Sequence, residues 1–229
     1  MRSLNVRIPK ARRILDFGCG TGWFLAEAQV DGDPFRVGVD YSRESLIGFD
    51  VPKLRPGQVN PLHLASADGL HLPFASASFD AVVGHVSMPY MNTRAALCEV
   101  YRVLAPGGSF LLTFHSFFYL RQKFRDSLMA SRWKDVVFMF YIGTNGLLNH
   151  LNLPQTRAWW NPRRFETVNT HHGVRMSARR AGFVRISTEG RKHSLFFHVT
   201  AQKPNEGGPL IPPPEPIYPE LRQLTEPRP

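Results

Sequence analysis

Between Arg13 and His115 short apolar runs alternate with stretches of helical period, the pattern of βαβ units that feed a parallel sheet. Arg13–Phe17 reads as a first strand, followed by a helix from about Gly22 to Val30. Phe35–Asp40 reads as a second strand, and Ser42 is placed to cap the helix after it, since its hydroxyl can accept an orphan N–H of the first turn. Val59–Ala67 is a weaker third strand and Phe79–His85 a fourth. Over Asn92–Leu104 the residues Ala96, Leu97, Val100, Val103 and Leu104 fall on one helical face. That helix should stop at the breaker Pro106-Gly107-Gly108, leaving Ser109–Phe114 as a fifth strand.

After His115 the period changes. Phe117, Leu120, Phe124, Leu128, Val136, Val137 and Phe140 recur at roughly helical spacing with Arg121, Lys123, Arg125, Arg132 and Lys134 between them, which predicts one or two amphipathic helices. Thr144–Pro162 reads as a loop, and Arg164–Ala181 as a helix closed by Gly182. Phe183–Thr188 and Leu195–Gln202 read as two strands joined by a short polar turn, hence an antiparallel pair at the sheet edge. From Pro204 onward nine of 26 residues are proline, which predicts an extended, flexible tail. The pattern has no internal repeat. It predicts one doubly wound, three-layer α/β/α domain over residues 1–203, with an insertion at 116–172 and a tail at 204–229.

Composition adds limits. A chain of 229 residues can bury one full core. Two cysteines, Cys19 and Cys98, are too few for a disulfide framework, so a reducing, cytoplasmic setting is expected. The longest apolar stretch, Val136–Ile142, is far short of the ~20 residues that a membrane span needs. The net charge of +10 is unevenly spread: residues 115–193 hold 14 Lys/Arg against 4 Asp/Glu, and residues 1–114 hold 11 against 10. Such a basic surface suits phosphate, an acidic substrate or an anionic membrane face, or serves only as a solvated face.

The chemistry centres on Ile14–Trp23, I-L-D-F-G-C-G-T-G-W. A strand that runs through a glycine-rich turn into a helix can present backbone N–H groups and a positive dipole end to a ligand. Dinucleotide binding wants G-x-G-x-x-G, but Trp23 fills the place of the last glycine, and no Gly-Lys-Ser/Thr follows for a P-loop. Asp40 ends the second strand, where a carboxylate can meet ribose hydroxyls. Asp68, before Gly69, ends the third, so Asp16, Asp40 and Asp68 should converge on one crevice. Helix capping and turn formation are the purely structural alternatives for these carboxylates.

The chain resembles the class I S-adenosylmethionine-dependent methyltransferases, in particular those acting on small molecules and lipid quinones. The likeness rests on I-L-D-F-G-C-G-T-G, V-G-V-D-Y-S, A-D-G-L-H-L-P-F-A-S-A-S-F-D-A-V-V and E-V-Y-R-V-L-A-P-G-G-S-F-L-L-T-F, in that order over residues 13–115. It implies a Rossmann-like sheet of seven strands, mostly parallel with an antiparallel edge hairpin, and S-adenosylmethionine as cofactor. By the same resemblance Asp16 and the loop Gly18, Cys19, Gly20 and Gly22 hold the methionine part, Asp40 the ribose, and Tyr41 stacks on adenine. Asp68 takes the adenine amino group, with Gly69 and Leu70 beside it, and His85 stands next to the transferable methyl. Family members often carry N-terminal helices over the cofactor, whereas about a dozen residues precede the first strand here, so either the insertion at 116–172 is the lid or the chain starts further upstream.

Methyl transfer from a sulfonium needs alignment more than covalent catalysis, and a general base only where the acceptor loses a proton. His85 and His115, at the predicted ends of the fourth and fifth strands, are the candidate bases, and Tyr90 a candidate for positioning the acceptor. Each could instead be a satisfied core residue. Ser87-Met88-Pro89-Tyr90 resembles the Asn/Asp-Pro-Pro-Tyr motif of amino-group and nucleic-acid methyltransferases, but Met88 replaces a proline and the spacing is two residues off. His171-His172 are adjacent and would point about 100° apart on a helix, so no metal is expected. The aromatic stripe of the insertion is either simple core, a pocket suited to a lipophilic acceptor carrying negative charge, or a face for a membrane surface, and the expected acceptor is small or lipophilic. The rival readings are a nucleic-acid methyltransferase, a dinucleotide-dependent oxidoreductase and a non-catalytic binding module.

Overall fold

The computed structural model describes residues 7–8, 11–47, 60–161, 164–190 and 193–205. Its main sheet has seven strands, β2 (Arg13–Phe17), β4 (Phe35–Asp40), β5 (Leu62–Ser66), β6 (Phe79–Gly84), β7 (Leu104–His115), β8 (Val184–Glu189) and β9 (Phe196–Gln202), in the order β5-β4-β2-β6-β7-β9-β8. The first five neighbours run parallel, while β9 is antiparallel to both β7 and β8. From β2 the chain moves outward to β4 and β5, then returns to place β6 on the other side of β2. That reversal opens a crevice at the carboxyl ends of β2 and β6, where open α/β sheets bind ligands.

Covered on both faces, β2 buries Ile14, Leu15, Asp16 and Phe17 completely. Leu15, Phe17, Val82, Phe110 and Leu112 pack against α3 (Thr93–Val103) and α6 (His171–Arg180) on one face, and Ile14, Ala81 and Val83 pack against Leu25 and Ala28 on the other. A separate cluster, Phe138, Met139, Ile142 and Val168, holds the insertion together.

Several predicted boundaries move. The helix after the glycine turn, α1, spans only Trp23–Glu27, because Gln29–Val30 (β3) pairs with Arg7–Ile8 (β1) in a small parallel sheet. Ser42 does cap α2 (Arg43–Ile47), accepting the Ser45 N–H at 3.1 Å. Val59 and the tail from residue 206 lie outside the described residues. Pro106-Gly107-Gly108 does not end pairing: Leu104 faces Phe79 and Ser109 faces Ala81, so the segment is an irregularity within β7, with Gly107 at φ 77°. Two helices fill the first part of the insertion, α4 (Phe117–Met129) and α5 (Trp133–His150), and α5 runs through residues 144–150 of the predicted loop. Its glycines serve close packing, since a Cβ on Gly146 would lie 2.8 Å from the Val168 carbonyl oxygen. The predicted helix from Arg164 begins only at His171, capped by Thr170. Residues before it are held extended by the Thr167 N–H on the Pro89 carbonyl and the Asn169 N–H on the His115 carbonyl, both at 2.8 Å.

Candidate functional site

A cavity of about 830 Å³ opens at the carboxyl ends of β2, β4 and β6. The glycine turn forms its floor, held mostly by the protein's own groups. Gly18 and Cys19 donate their N–H groups to the Val39 carbonyl at 2.8 and 2.9 Å, Gly20 donates to Asp40 Oδ2 at 2.8 Å, and Gly22 to the Cys19 carbonyl at 2.9 Å. With these four donors spent, they cannot cradle a phosphate as the turn by itself suggests. Gly18 sits at φ 73°, and a Cβ there would lie 2.2 Å from Ser87 Cβ, whereas a Cβ on Gly20 would meet open space. Ser87 reaches that position because its hydroxyl donates to the Phe17 carbonyl.

The three carboxylates do line one cavity, in three different states. Asp16 is fully buried with neither side-chain oxygen hydrogen-bonded, and burial, then the nearby Asp40, pushes its carboxyl up to about 7. Such an orphaned group asks for a donor, above all a cationic one. Asp40 accepts the Gly20 and Ser42 N–H groups, both at 2.8 Å, and so ties the glycine turn to the end of β4. Asp68 closes its own turn, accepting the Leu70 N–H at 2.9 Å with His71 Nδ1 at 3.1 Å. The Leu70 N–H is therefore engaged within the chain. Gly69 packs beneath Met91, and Tyr41 lies 80 % exposed at the rim. Cys19 is buried, its thiol pushed up by burial and by Asp16 and Asp40, so it stays protonated.

His85 lines the cavity, stacked on Phe24 with ring centroids 5.3 Å apart and Nδ1 without a partner. Burial, then His198, lowers its pKa, so the ring is neutral at pH 7. Val86, next to it, has φ 63°, a costly conformation for a β-branched residue that turns the chain from β6 toward Ser87. Tyr90 also lines the cavity. His115 does not: it is buried behind Tyr90, stacked on Tyr119 at 3.9 Å, and burial together with Lys123 lowers its pKa to about 4. The strand-end position that made it a candidate base instead puts it in an aromatic box.

Three lining residues come from the insertion and escaped the sequence reading: Arg157, Arg164 and Phe165. The Arg164 guanidinium lies 3.6 Å over the Phe138 ring and 3.7 Å from the buried Glu166 carboxylate, whose pKa burial raises. Buried amides hold this segment. Asn145 Nδ2 donates to the Thr156 and Glu166 carbonyls at 2.9 and 3.2 Å. Asn149 Nδ2 donates to Asn169 Oδ1 at 2.8 Å, and Gln155 accepts the Thr93 N–H at 3.0 Å. Asn145 and Asn149, four apart inside an apolar helix, were the available signal. Among the described residues no three His, Cys, Asp or Glu side chains are grouped as a metal site, and no helix is long and apolar enough to cross a membrane.

Residues 15–112 match the family model described as a methyltransferase domain. An O-methyltransferase of Penicillium expansum is 32% identical over 117 residues, covering 48% of this chain and 41% of the relative. A demethylmenaquinone methyltransferase of Staphylococcus epidermidis is 34% identical over 111 residues, covering 47% and 44%. The chain spans about half the length of such curated relatives. The fold is shared with an S-adenosylmethionine-dependent methyltransferase of Thermotoga maritima, at a TM-score of 0.56 and 16% identity over 86% of this chain and 83% of that one.

Proposed function

We propose that this chain, whose residues 15–112 match a methyltransferase domain, is a class I S-adenosylmethionine-dependent methyltransferase and methylates a small, lipophilic acceptor carrying an acidic group. Asp16 carries the reading: a fully buried carboxylate with both oxygens unpartnered fits the ammonium of the cofactor's methionine end. The open space at Gly20 admits that end of the molecule. Asp40 and Asp68 each keep lone pairs beside the hydrogen bonds they already accept, enough for ribose hydroxyls and an adenine amino group. Tyr41 at the rim can lie on the adenine face.

When bound, the cofactor supplies an electrophilic methyl group on a sulfonium. The chain's part is to align an acceptor with it and exclude water, which is worth about 7–11 kcal/mol when the alignment is good. Phe24, Tyr90 and Phe165 offer apolar and aromatic wall, and Arg157 and Arg164 offer positive charge to an acidic substituent. Neutral His85 can accept a proton from an acceptor hydroxyl. The demethylmenaquinone methyltransferases among the relatives act on a lipophilic ring compound, which supports an acceptor of that class.

Incubation with methyl-labelled S-adenosylmethionine and a fractionated cell extract tests the reading. Label should enter acidic lipids or small aromatic acids. Label in RNA or protein, or no transfer by a chain that binds the cofactor, contradicts it.

A further inference from the structure

Helix α5 is inverted relative to an ordinary surface helix. Its inward face carries Asn145, Gly146 and Asn149 beside Val136, Met139 and Ile142, all buried. Its outward face carries Trp133, Val137, Phe140 and Leu147, continued by Leu151 just past the end, each 52–65 % exposed. The spacings of four, three, seven and four residues put these side chains on one stripe along the helix, interrupted only by Thr144. Leu128 and Met129 at the end of α4, three residues before α5 begins, are also exposed, Met129 at 80 %. Isolated apolar residues on a surface need no explanation, but an apolar row five turns long does.

Its surroundings indicate what covers it. Arg121 and Arg125 on α4, with Arg132 and Lys134 at the start of α5, are all exposed, and only Asp126 and Asp135 oppose them within the two helices; Lys123 instead lies over the Tyr119 ring. Arg125 and Arg132 lean on those two acids at 3.4 and 3.5 Å, leaving a net positive border along the amino-terminal half of the stripe. A second copy docked antiparallel by the same face would set this positive half against the carboxyl-terminal half of α5, which carries no acidic residue to meet it. An anionic surface complements them, and tryptophan at the end of an apolar row suits the headgroup boundary of a bilayer.

We propose that the outer face of α5, with the end of α4 before it, docks on the surface of an anionic lipid bilayer. The helix lies in the plane of the interface with Trp133, Val137, Phe140 and Leu147 inserted and the flanking cations against the headgroups. Docking brings the cavity close to the lipid, because the neighbouring face of α5 carries Phe138 and Tyr141. Arg164 of the cavity wall lies over Phe138, and the half-exposed Trp160 packs against both rings at 6.3 and 5.5 Å. A lipophilic acceptor could then reach the site from the membrane, a consequence that rests on the proposed function. The docking itself does not.

The test is co-sedimentation of the full chain with vesicles of phosphatidylcholine, with and without phosphatidylglycerol. Binding should require the anionic lipid and weaken with added salt. Trp133→Ser with Phe140→Ser should lower the partition coefficient by about tenfold or more, and Arg132→Gln with Lys134→Gln by about tenfold on anionic vesicles only. Both double variants should stay folded and keep the wild-type S-adenosylhomocysteine affinity, since these side chains are remote from the glycine turn, with the Trp133/Phe140 pair lowering the melting temperature only by the lost ring contact of Phe140 with Phe124. No partition by the wild type, or equal partition of wild type and variants, overturns the proposal. So does a dimer in sedimentation velocity that the Trp133/Phe140 pair of substitutions dissolves, because the stripe would then be covered by a second copy. Loss of S-adenosylhomocysteine binding by the wild type would count against the methyltransferase reading and leave the vesicle result standing.

Discussion

On one side of the cavity Asp16, Asp40 and Asp68 stand at or just beyond the carboxyl ends of neighbouring parallel strands; on the other, Arg157, Arg164 and Phe165 come from a segment tied down by Asn145, Asn149 and Gln155. The first wall is set by sheet registers that run the full length of β2, β4 and β5, and by a glycine turn whose N–H groups are spent on β4. The second depends on a few buried amides, each shared between the insertion and the main domain or between parts of the insertion. Register ladders are cooperative and tolerate the loss of one contact. A buried amide network loses a partner and leaves another polar group unsatisfied. The donor wall should therefore fail by steric or charge change at particular atoms, and the acceptor wall by loss of a single amide.

The largest effect is expected at Gly18. Gly18→Ala places a Cβ against Ser87 in a backbone conformation that L side chains rarely adopt, and should cost about 4 kcal/mol or more in chemical denaturation. Alanine at Gly20, which faces open space, should cost much less stability and act on cofactor affinity instead.

Asp16 should give the next largest effect, through pH. Its carboxyl is raised from 3.8 to about 7 in the folded chain, so the fold holds a proton that the unfolded chain releases. Stability of the ligand-free protein should be full below pH 4 as far as this group is concerned, and fall by about 4 kcal/mol as pH rises through 7. Asp16→Asn should flatten that slope in denaturation curves taken from pH 5 to 8. An unchanged slope would mean that Asp16 is not the buried acid described here.

Asn149→Ala should cost about 2–3 kcal/mol, because Asn169 and Ser177 each lose a buried partner. S-adenosylhomocysteine affinity should stay within about threefold if the two walls are built independently. A fall in affinity as large as the fall in stability would break the comparison. The smallest effect is expected for Arg164→Met, which keeps the contact with Phe138 but removes the charge. It should cost about 1 kcal/mol in stability, because the buried Glu166 loses its nearest cation, leave S-adenosylhomocysteine affinity unchanged, and lower kcat/KM for an acidic acceptor by about 10–100-fold, mostly through KM.

The same contrast explains what could be read from the sequence. β2 and β4 have the bounds that their apolar runs predict, and the parallel run of the first five strands of the main sheet follows from alternating strand and helix patterns. These are local signals backed by strict sheet pairing. Asp16, Asp40 and Asp68 share a cavity because strand ends in a parallel sheet must lie on one edge. The insertion offered no such rule. Gly146 lies in the stretch that reads as a loop from Thr144 and is instead a site of close packing within α5, and residues 164–170 read as helix until their N–H groups found Pro89 and His115. His115 shows the limit most directly: sequence placed it correctly at the end of β7, but only the packing of Tyr90 and Tyr119 shows that it turns away from the cavity. The purpose of Gly18 and Gly22 also changes. They make room for Ser87 and Leu62 of the protein itself, and Gly20 alone of the three leaves space for a ligand.

The central claim is that a buried, unpartnered Asp16 receives the methionine end of a methyl donor, and titration calorimetry tests it directly. The wild-type chain should bind S-adenosylhomocysteine and not NAD, and Asp16→Asn should weaken that binding by about 100-fold while the protein stays folded. Binding of NAD by the wild type, or undiminished S-adenosylhomocysteine binding by Asp16→Asn, would contradict the account.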